Sequence, residues 1–520
     1  MQKSVFLRYL AFAAIALFSI TASACGGGGG GGSTPPVAPP GGAPPPTGST
    51  PTPGPGATPT PTPGITPTPG PTATPVRTPT PMPTQTPTPV PPTTSSITIL
   101  PDTTGRFGLT QIFDWDGAKS HAPLTTSQIE SEAPHEDSVW GAFNPGAWNA
   151  GHPGMIVSRY TLPVEDDNSM SGHDLNWWQS NHPDWILYAC DPNNNPTKQL
   201  AWSTSYFPDV PLDFSNPQVV QFQIDEIIKY LKANGYNTLA VDNTDLVNYL
   251  HGGNPLFGQQ LISGYYGCGT YDTSGNFHRV FGGPLNAADP AFISAMINWV
   301  RTVESALHNA GLKLVINHPL YNSPSNANEQ QMLAATDAMV YERGLTDYGK
   351  YMSGEAYSLV TNAMSWATAA QTHHVAFLVT DYLCSGWNGT AAWNNNGPCP
   401  SDPSQIPAPQ ADWALATYAL LNLGGADVYI SPQVGQMMSY RPEYSTTYGQ
   451  PCGSYSVQNT YVFVRKFQGA LVVVNTATTA TSYPLPSGHT YRDIEGRAVS
   501  NPLSLGPADG YVLLTSNGCS

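Results

Sequence analysis

Acidic side chains stand at the ends of several short apolar segments of this sequence. These segments are rich in β-branched and aromatic residues and have the length of buried strands. A carboxylate beside such a segment costs desolvation energy unless it has a partner or a chemical role. The residues concerned are Asp114, Asp191, Asp242, Glu342 and Asp381.

Two of these carboxylates, Asp242 and Glu342, are the candidates for catalysis. Cleavage of a glycosidic bond needs one carboxyl group that protonates the leaving oxygen and another that acts as nucleophile or activates water. We assign the nucleophile to Asp242 and the acid/base to Glu342, at the ends of the fourth and sixth predicted strands. The alternative is that they cap helices or pair with Arg159 or Arg343.

Other polar and aromatic residues near the predicted strand ends are candidates for substrate binding. Asn317 and His318 are expected to hydrogen-bond sugar hydroxyl groups, with a core or turn role as the alternative. Aromatic rings in these segments, Tyr160 among them, can stack on sugar rings, although ordinary core packing is the alternative for each ring. The predicted binding set is Asp114, Trp115, Arg159, Asn243, Asn317, His318, Asp381 and Tyr382.

The alternation of strands and helices predicts the fold that positions these residues. Helices between the apolar runs begin at Asn216-Pro217 and Asp289-Pro290, where a capping residue precedes proline. Eight strand candidates alternating with helices favour a (β/α)₈ TIM barrel, and no glycine-rich dinucleotide motif follows any of them. Barrel strands end at one mouth, so Asp242 and Glu342 are expected to face each other across it. The predicted strands are 107–115, 155–162, 185–190, 238–242, 313–318, 338–342, 375–381 and 426–430.

Beyond about residue 450 the pattern changes to short apolar segments separated by turn residues. It predicts a small antiparallel β-sandwich domain after the barrel. The predicted strands of this domain are 460–467, 470–475, 491–494 and 510–514.

The N-terminus has the pattern of an export signal. Lys3 is followed by an apolar run, Phe6–Ile20, and then by the small residues of Ala22-Ser-Ala-Cys25. This last segment resembles the bacterial lipobox, with alanine at position 22 where leucine is preferred, so Cys25 is the expected lipidation site. An ordinary signal peptide cut nearby is the alternative. Without an Asp beside Cys25, anchoring in an outer membrane is favoured over retention in the inner membrane.

A tether rich in glycine, threonine and proline follows Cys25 and cannot build a hydrophobic core. We therefore divide the chain into a lipoprotein signal peptide (1–25), a disordered linker (26–96), a catalytic barrel (97–450) and a C-terminal β domain (451–520).

Six cysteines remain once Cys25 is set aside, and an even number in an exported protein predicts disulfides. Six cysteines allow fifteen pairings, so the connectivity stays open. The favoured pairs are Cys384 with Cys399, Cys452 with Cys519, and Cys190 with Cys268.

The charge of the chain excludes one class of partner. From Asp102 onward the sequence has 16 basic and 35 acidic residues, and it lacks the basic stripe that a nucleic-acid-binding protein needs. No histidine or carboxylate spacing predicts a metal site, and no cofactor is expected. The expected partners are a carbohydrate and, through the lipid anchor, a membrane.

Four motifs carry a resemblance to a known family. The chain from 107 to 520 resembles glycoside hydrolase-like family 15, a predicted barrel family related to endo-α-1,4-polygalactosaminidases and α-galactosidases. The resemblance implies a hydrolase of O-glycosyl bonds that retains configuration, with Asp242 as nucleophile and Glu342 as acid/base. It leaves the glycan open, and a non-catalytic glycan-binding lipoprotein is the alternative. The motifs are 212–217, 234–243, 311–317 and 341–344.

Overall fold

The computed structural model describes most of the chain from Leu100 onward, and these residues belong to one compact unit. The predicted signal peptide and linker lie outside them, as do the side chains of Cys384 and Cys399. The described residues are 100–116, 122–203, 209–253, 262, 264–283, 288–346, 355–385, 408–433 and 438–519.

Eight parallel strands form the main sheet, and each pairs with the next along the chain. They are β1 Thr110–Ile112, β2 Ser138–Trp140, β3 Ile156–Thr161, β4 Thr238–Val241, β5 Lys313–Asn317, β6 Ala338–Tyr341, β7 Ala376–Ser385 and β8 Ala426–Gln433.

The sheet closes on itself, because a parallel bridge joins Leu109 to Val428. Gly108 allows this approach: a Cβ there would lie 2.3 Å from an oxygen of Asp427. The chain therefore forms a (β/α)₈ TIM barrel, which confirms the predicted fold class.

The helices follow the predicted start signals. Asn216 and Asp289 cap the two longest helices through their side chains, and each is followed by proline at the first helical position. The helices are α1 Thr126–Glu132, α2 Pro145–Gly151, α3 Asn168–Ser171, α4 Leu175–Asn181, α5 Pro217–Asn234, α6 Pro290–Asn309, α7 Ala327–Leu333, α8 Ala356–Thr372 and α9 Ala408–Leu421. None of them is long and apolar enough to cross a bilayer.

One predicted barrel strand was wrong and another was missed. In the segment 185–190, a 3₁₀ turn (Pro183–Trp185) is followed by Tyr188–Cys190, which pairs with antiparallel strands outside the barrel. The second barrel strand is instead β2, whose three residues follow the acidic pair Glu136-Asp137 and are too few to show a hydrophobic period. The run 155–162 is therefore the third strand.

A five-stranded antiparallel sheet is inserted between β3 and β4 and after β4. The Cys190–Cys268 disulfide joins two of its strands. In sheet order the strands are His251–Gly253, Pro196–Trp202, Tyr188–Cys190, Tyr266–Tyr271 and Phe277–Arg279.

The C-terminal region contains an antiparallel sheet whose two faces are both buried. One face packs on α9 and joins the barrel core, and the other forms a separate apolar cluster with the ladder Thr481–Tyr483/Leu503–Leu505. Cys452 and Cys519 form a disulfide in this region. The sheet contains Ser456–Gln458, Val462–Phe467, Ala470–Asn475 and Asp509–Leu514.

The predicted strand 491–494 is wrong, because Asp493 accepts hydrogen bonds from Arg497 and closes a turn there.

A buried cation, Arg465, links the C-terminal sheet to the barrel. The Arg465 guanidinium donates to the carbonyl oxygens of Ala419, Leu420 and Asn422 at 2.9–3.2 Å and so caps the C-terminal end of α9.

Candidate active site

Three neighbouring strands bring the two predicted catalytic carboxylates together. Asp242 follows β4, Asn317 ends β5 and Glu342 follows β6. The Asn317 amide nitrogen donates to Asp242 Oδ1 and to Glu342 Oε2, both at 2.8 Å. The two amide hydrogens diverge by about 120°, which places these two oxygens about 5 Å apart. The carboxylates therefore flank Asn317 on neighbouring strands of the barrel mouth. That they face each other across a bound sugar stays a prediction.

Both oxygens of Asp242 accept hydrogen bonds. Oδ1 accepts from Asn317 and from the Asn243 backbone N–H at 2.9 Å, and Oδ2 accepts from the Tyr160 hydroxyl at 2.7 Å. Asn243, directly after the carboxylate, has a left-handed backbone (φ 55°), a conformation that is uncommon for a residue other than glycine and that clusters at functional sites. Burial raises the pKa of Asp242, while the three hydrogen bonds oppose that rise.

Tyr160 lies on β3 and packs against Phe113 and Trp140. Burial and the neighbouring Asp242 carboxylate raise the pKa of Tyr160 well above its usual value. The phenol therefore remains protonated and donates to Asp242. The sequence placed Tyr160 among candidate stacking rings; its role as a carboxylate partner depends on the β3–β4 pairing, which the shifted strand order concealed.

The turn that carries Glu342 is fixed by the end of β7. Thr380 Oγ1 donates to the carbonyl oxygen of Glu342 at 2.7 Å, and Asp381 Oδ1 accepts from the Leu345 N–H at 2.7 Å. Gly344 has φ 61°, and a Cβ there would lie 2.0 Å from the Thr380 carbonyl oxygen. Asp381 is fully buried, which raises its pKa to about 7. Through its hydrogen bond from the Leu345 N–H, Asp381 stabilises the turn that carries Glu342.

His318 is engaged at both ring nitrogens. Nδ1 lies 2.8 Å from the Thr244 carbonyl oxygen and Nε2 lies 2.5 Å from Glu329 Oε2 on α7. Both neighbours are acceptors, so both nitrogens carry hydrogen and the ring is an imidazolium. Burial lowers the pKa of His318, but the hydrogen bond and charge of Glu329 outweigh it and the net shift is upward.

This ion pair ties two loops of the mouth together. Its partner Thr244 donates through its N–H (3.1 Å) and its hydroxyl (2.8 Å) to the Asn317 carbonyl oxygen. The His318 side chain is only 1% exposed. The geometry therefore favours the core role over direct hydrogen bonding to a sugar.

Three other predicted binding residues point away from an open site. Asp114 is buried and accepts from Phe143 N, Asn144 N and Trp148 Nε1, which anchors the start of α2. Arg159 pairs with Asp167 at 2.7 Å and lies over the Tyr230 ring on α5, outside the barrel. Tyr382 is buried against Tyr429.

Both arginines of the alternative interpretation form ion pairs with other carboxylates. Arg343 pairs with Glu355 at 3.1 Å, and Arg159 with Asp167. The Trp115 side chain lies outside the described residues.

A cavity of about 320 Å³ is lined by Glu342 and by Asn317, the residue that donates to both carboxyl groups. It contains a residue that the sequence reasoning missed, Asp245, whose burial raises its pKa to about 7. Asp245 lies three residues beyond Asp242, in a loop at the same strand end, and this position could have identified it in the sequence as a candidate site residue. A cavity of about 370 Å³ lies instead on the C-terminal sheet, beside Asp412 and Arg497 and away from the strand ends. The first cavity is lined by Asn243, Asp245, Asn317, His318, Tyr321, Glu342, Ser358, Leu359 and Asn362, among others.

Among the described residues, no group of three or more His, Cys, Asp or Glu side chains is placed to hold a metal ion. What the arrangement offers is two carboxyl groups held a fixed distance apart beside a cavity, one with a tyrosine donor.

No protein-family model matches the chain, and no curated protein matches it. Solved structures align over most of its length. A maltogenic α-amylase from Thermotoga neapolitana covers 81% of this chain and 99% of its own at 10% identity and a TM-score of 0.40. An α-amylase from Malbranchea cinnamomea covers 79% and 96% at 12% identity and 0.41.

An α-galactosidase from Geobacillus stearothermophilus covers 79% of this chain and 56% of its own at 10% identity and a TM-score of 0.35. All three TM-scores are below 0.5. Membership of glycoside hydrolase-like family 15 stays a prediction from the sequence motifs.

Replacing Glu329 with Gln tests the buried ion pair. The upward shift of the His318 pKa means that the pair stabilises the fold fully below the unfolded pKa of histidine and less as the pH rises through the folded pKa. At about pH 6, unfolded histidine is largely charged and Glu329 is ionised, so E329Q should lose about 3 kcal/mol of unfolding free energy. The loss should shrink at about pH 9.

Urea unfolding at both pH values measures this difference. The control is E226Q, which removes the exposed pair with Lys229 and should cost less than about 0.5 kcal/mol at either pH. An equal loss for E329Q at both pH values would show that His318 is neutral in the fold.

Proposed function

We propose that this chain is an exported, lipid-anchored glycoside hydrolase that cleaves its substrate by double displacement, with retention of configuration. The observation that carries the proposal is the single Asn317 amide hydrogen-bonded to both Asp242 and Glu342. The resulting oxygen separation of about 5 Å fits the spacing of retaining enzymes, about 5–5.5 Å. An inverting enzyme needs about 6.5–9.5 Å to admit a water.

In the first step the Glu342 carboxyl group protonates the glycosidic oxygen while an Asp242 oxygen attacks the anomeric carbon. The C–O bond to the leaving sugar breaks, and a covalent glycosyl ester forms on Asp242. In the second step Glu342 takes a proton from water, which attacks the same carbon and releases Asp242 as a carboxylate. Two inversions give net retention.

The hydrogen bonds assign the two roles. Asp242 receives three donors, from Tyr160, Asn243 and Asn317, and each favours its ionised form. An ionised carboxylate is what the attack requires. When two carboxyl groups have different environments, their pKa values differ, and the group that stays ionised acts as nucleophile while the other acts as acid.

The same contacts select the attacking atom. Asp242 Oδ1 accepts two hydrogen bonds, which occupy its two lone pairs. Oδ2 accepts one, from Tyr160. Oδ2 therefore keeps a lone pair for the anomeric carbon, and the Tyr160 hydroxyl holds it in orientation.

Substitution of each carboxyl group should give a different kinetic pattern. Asp242→Asn should be almost inactive on all substrates, because no glycosyl ester can form. Glu342→Gln should lose roughly 10²–10⁴-fold on polysaccharide but much less on activated aryl glycosides, whose leaving groups need little protonation. Reducing-sugar release from a polysaccharide panel and aryl glycoside assays measure both.

The matched control is E130Q on the exposed side of α1, which should leave activity unchanged. Full activity in D242N would remove Asp242 from the mechanism. A chain that binds glycans but hydrolyses none would instead be the non-catalytic binding protein.

Tyr160→Phe should shift the acidic limb of the pH profile. The Tyr160 hydroxyl stabilises ionised Asp242, so its removal raises the pKa of Asp242 further. The acidic limb of kcat/KM should move upward by about one pH unit, since a hydrogen bond to a charged group contributes about 1.5–3 kcal/mol. The alkaline limb should stay in place. An acidic limb that does not move would contradict the assignment of Asp242 as the ionised nucleophile.

Cys25→Ala tests the anchor. Lipidation of Cys25, followed by the glycine-rich and proline-rich linker, would hold the barrel at a distance from an outer membrane. The variant should appear in the soluble fraction or remain unprocessed, whereas the natural chain should sediment with membranes. A Cys25→Ala chain that still sediments with membranes would exclude the anchor without affecting the catalytic proposal.

A further inference from the structure

Tyrosine rings lie exposed beside the candidate active site. Tyr321, in the loop after β5, lines the cavity and is 68% exposed. Three further tyrosines form what we call the tyrosine strip: Tyr357 at the start of α8, and Tyr455 and Tyr461, each one residue before a strand of the C-terminal sheet. They are 37%, 43% and 45% exposed.

The strip is continuous. Tyr357 lies edge-on to Tyr461 with ring centroids 5.4 Å apart, and Tyr357 and Tyr455 both contact the buried Phe463, at 6.0 and 5.8 Å. A first-turn helix residue thus joins the C-terminal sheet through aromatic contacts, and the three partly exposed tyrosines cluster around Phe463.

The strip begins where the cavity ends. Ser358, Leu359 and Asn362 on α8 line the cavity together with Glu342. Tyr357 precedes Ser358 in the chain, so its Cα is about 3.8 Å from that of a cavity residue. The strip therefore starts at the end of α8 that also lines the cavity, although helical spacing directs Tyr357 to a different side of that helix from Ser358, Leu359 and Asn362.

The size of the cavity requires such an extension for a long substrate. About 320 Å³ is at the lower end of ligand pockets, which range over about 300–1,000 Å³. A polysaccharide has many more rings than such a cavity can hold, so the chain must leave it across a neighbouring surface.

The chemistry of the strip suits an uncharged sugar chain. Tyrosine presents a flat apolar face for the C–H face of a sugar ring and a hydroxyl for hydrogen bonding, and exposed aromatic surface marks an interaction site. From Asp102 onward the chain has 35 acidic against 16 basic residues, which would repel a polyanion.

We propose that the substrate is an uncharged polysaccharide whose chain runs from the cavity over Tyr357, Tyr461 and Tyr455, so that the C-terminal sheet forms part of the substrate-binding surface. This inference rests on the proposed glycosidase function, because the strip is read as a continuation of its cavity. It makes the C-terminal region a determinant of polymer recognition.

The test separates polymer binding from catalysis. In a D242N background, affinity electrophoresis through gels with soluble starch, galactomannan, mixed-linkage β-glucan or polygalacturonate measures binding of each named polymer. At least one neutral polymer should retard the protein and polygalacturonate should not. Y357A/Y461A should weaken that retardation roughly 5- to 20-fold, whereas Y461F, which keeps the ring, should weaken it little.

The matched control is Q458A, an exposed side chain of the same strand whose position one residue beyond Val457 places it on the opposite face of the sheet, and which should bind like the natural chain. In the active background, Y357A/Y461A should lower kcat/KM on the retarding polymer by a similar factor and leave kcat/KM on an aryl monoglycoside unchanged. A thermal melt of each variant checks that the fold is intact.

Equal loss on polymer and aryl glycoside, no loss on either, or no retardation by any neutral polymer would overturn the proposal. Retention by polygalacturonate alone would overturn its uncharged character. If the natural chain hydrolyses nothing while D242N is still retarded through the strip, the glycosidase function fails and the binding surface stands. If aryl glycosides are cleaved and the strip variants bind polymer normally, the glycosidase function stands and the proposed binding surface fails.

Discussion

The hydrogen bonds from the Asn317 side-chain amide to Asp242 and Glu342 are the interaction on which the site depends. Two unit charges about 5 Å apart repel by about 3 kcal/mol at an effective dielectric constant of about 20. A hydrogen bond to each carboxylate offsets an energy of that size. The amide therefore allows the two carboxyl groups to remain close at the edge of the cavity that Glu342 and Asn317 line, which neighbouring β-strands alone would not secure.

The surrounding structure keeps that amide and its partners in place. The His318–Glu329 ion pair holds the Thr244 carbonyl, and Thr244 holds the Asn317 backbone. On the other side, β7 fixes the turn that carries Glu342 through Thr380 and Asp381. These are buried contacts between loops at the ends of β4, β5, β6 and β7, so the precision of the site comes from the barrel mouth and not from any one loop.

The sequence was sufficient for the features that depend on local pattern. Strand-end position pointed to Asp242 and Glu342, and proline after a capping residue located α5 and α6. It was insufficient where the outcome depends on strand pairing. Whether Arg159 or Tyr160 faces the barrel interior is a matter of strand parity, and the three-residue β2 leaves no hydrophobic period to count. The Glu329 partner of His318 comes from a separate helix, so no spacing rule identifies it.

The central claim, that Asp242 forms a covalent bond to the sugar while Glu342 activates water, is tested most directly by trapping that intermediate. E342Q protein is mixed with 2-deoxy-2-fluoroglycosyl fluorides, which form the ester but hydrolyse slowly, and the products are digested and analysed by peptide mass spectrometry. A covalent intermediate on Asp242 predicts one added fluorosugar on the peptide that contains Asp242, and none in the double variant E342Q/D242N. An adduct on Asp245 or another residue, or turnover without any adduct to the inverted anomer, would contradict it.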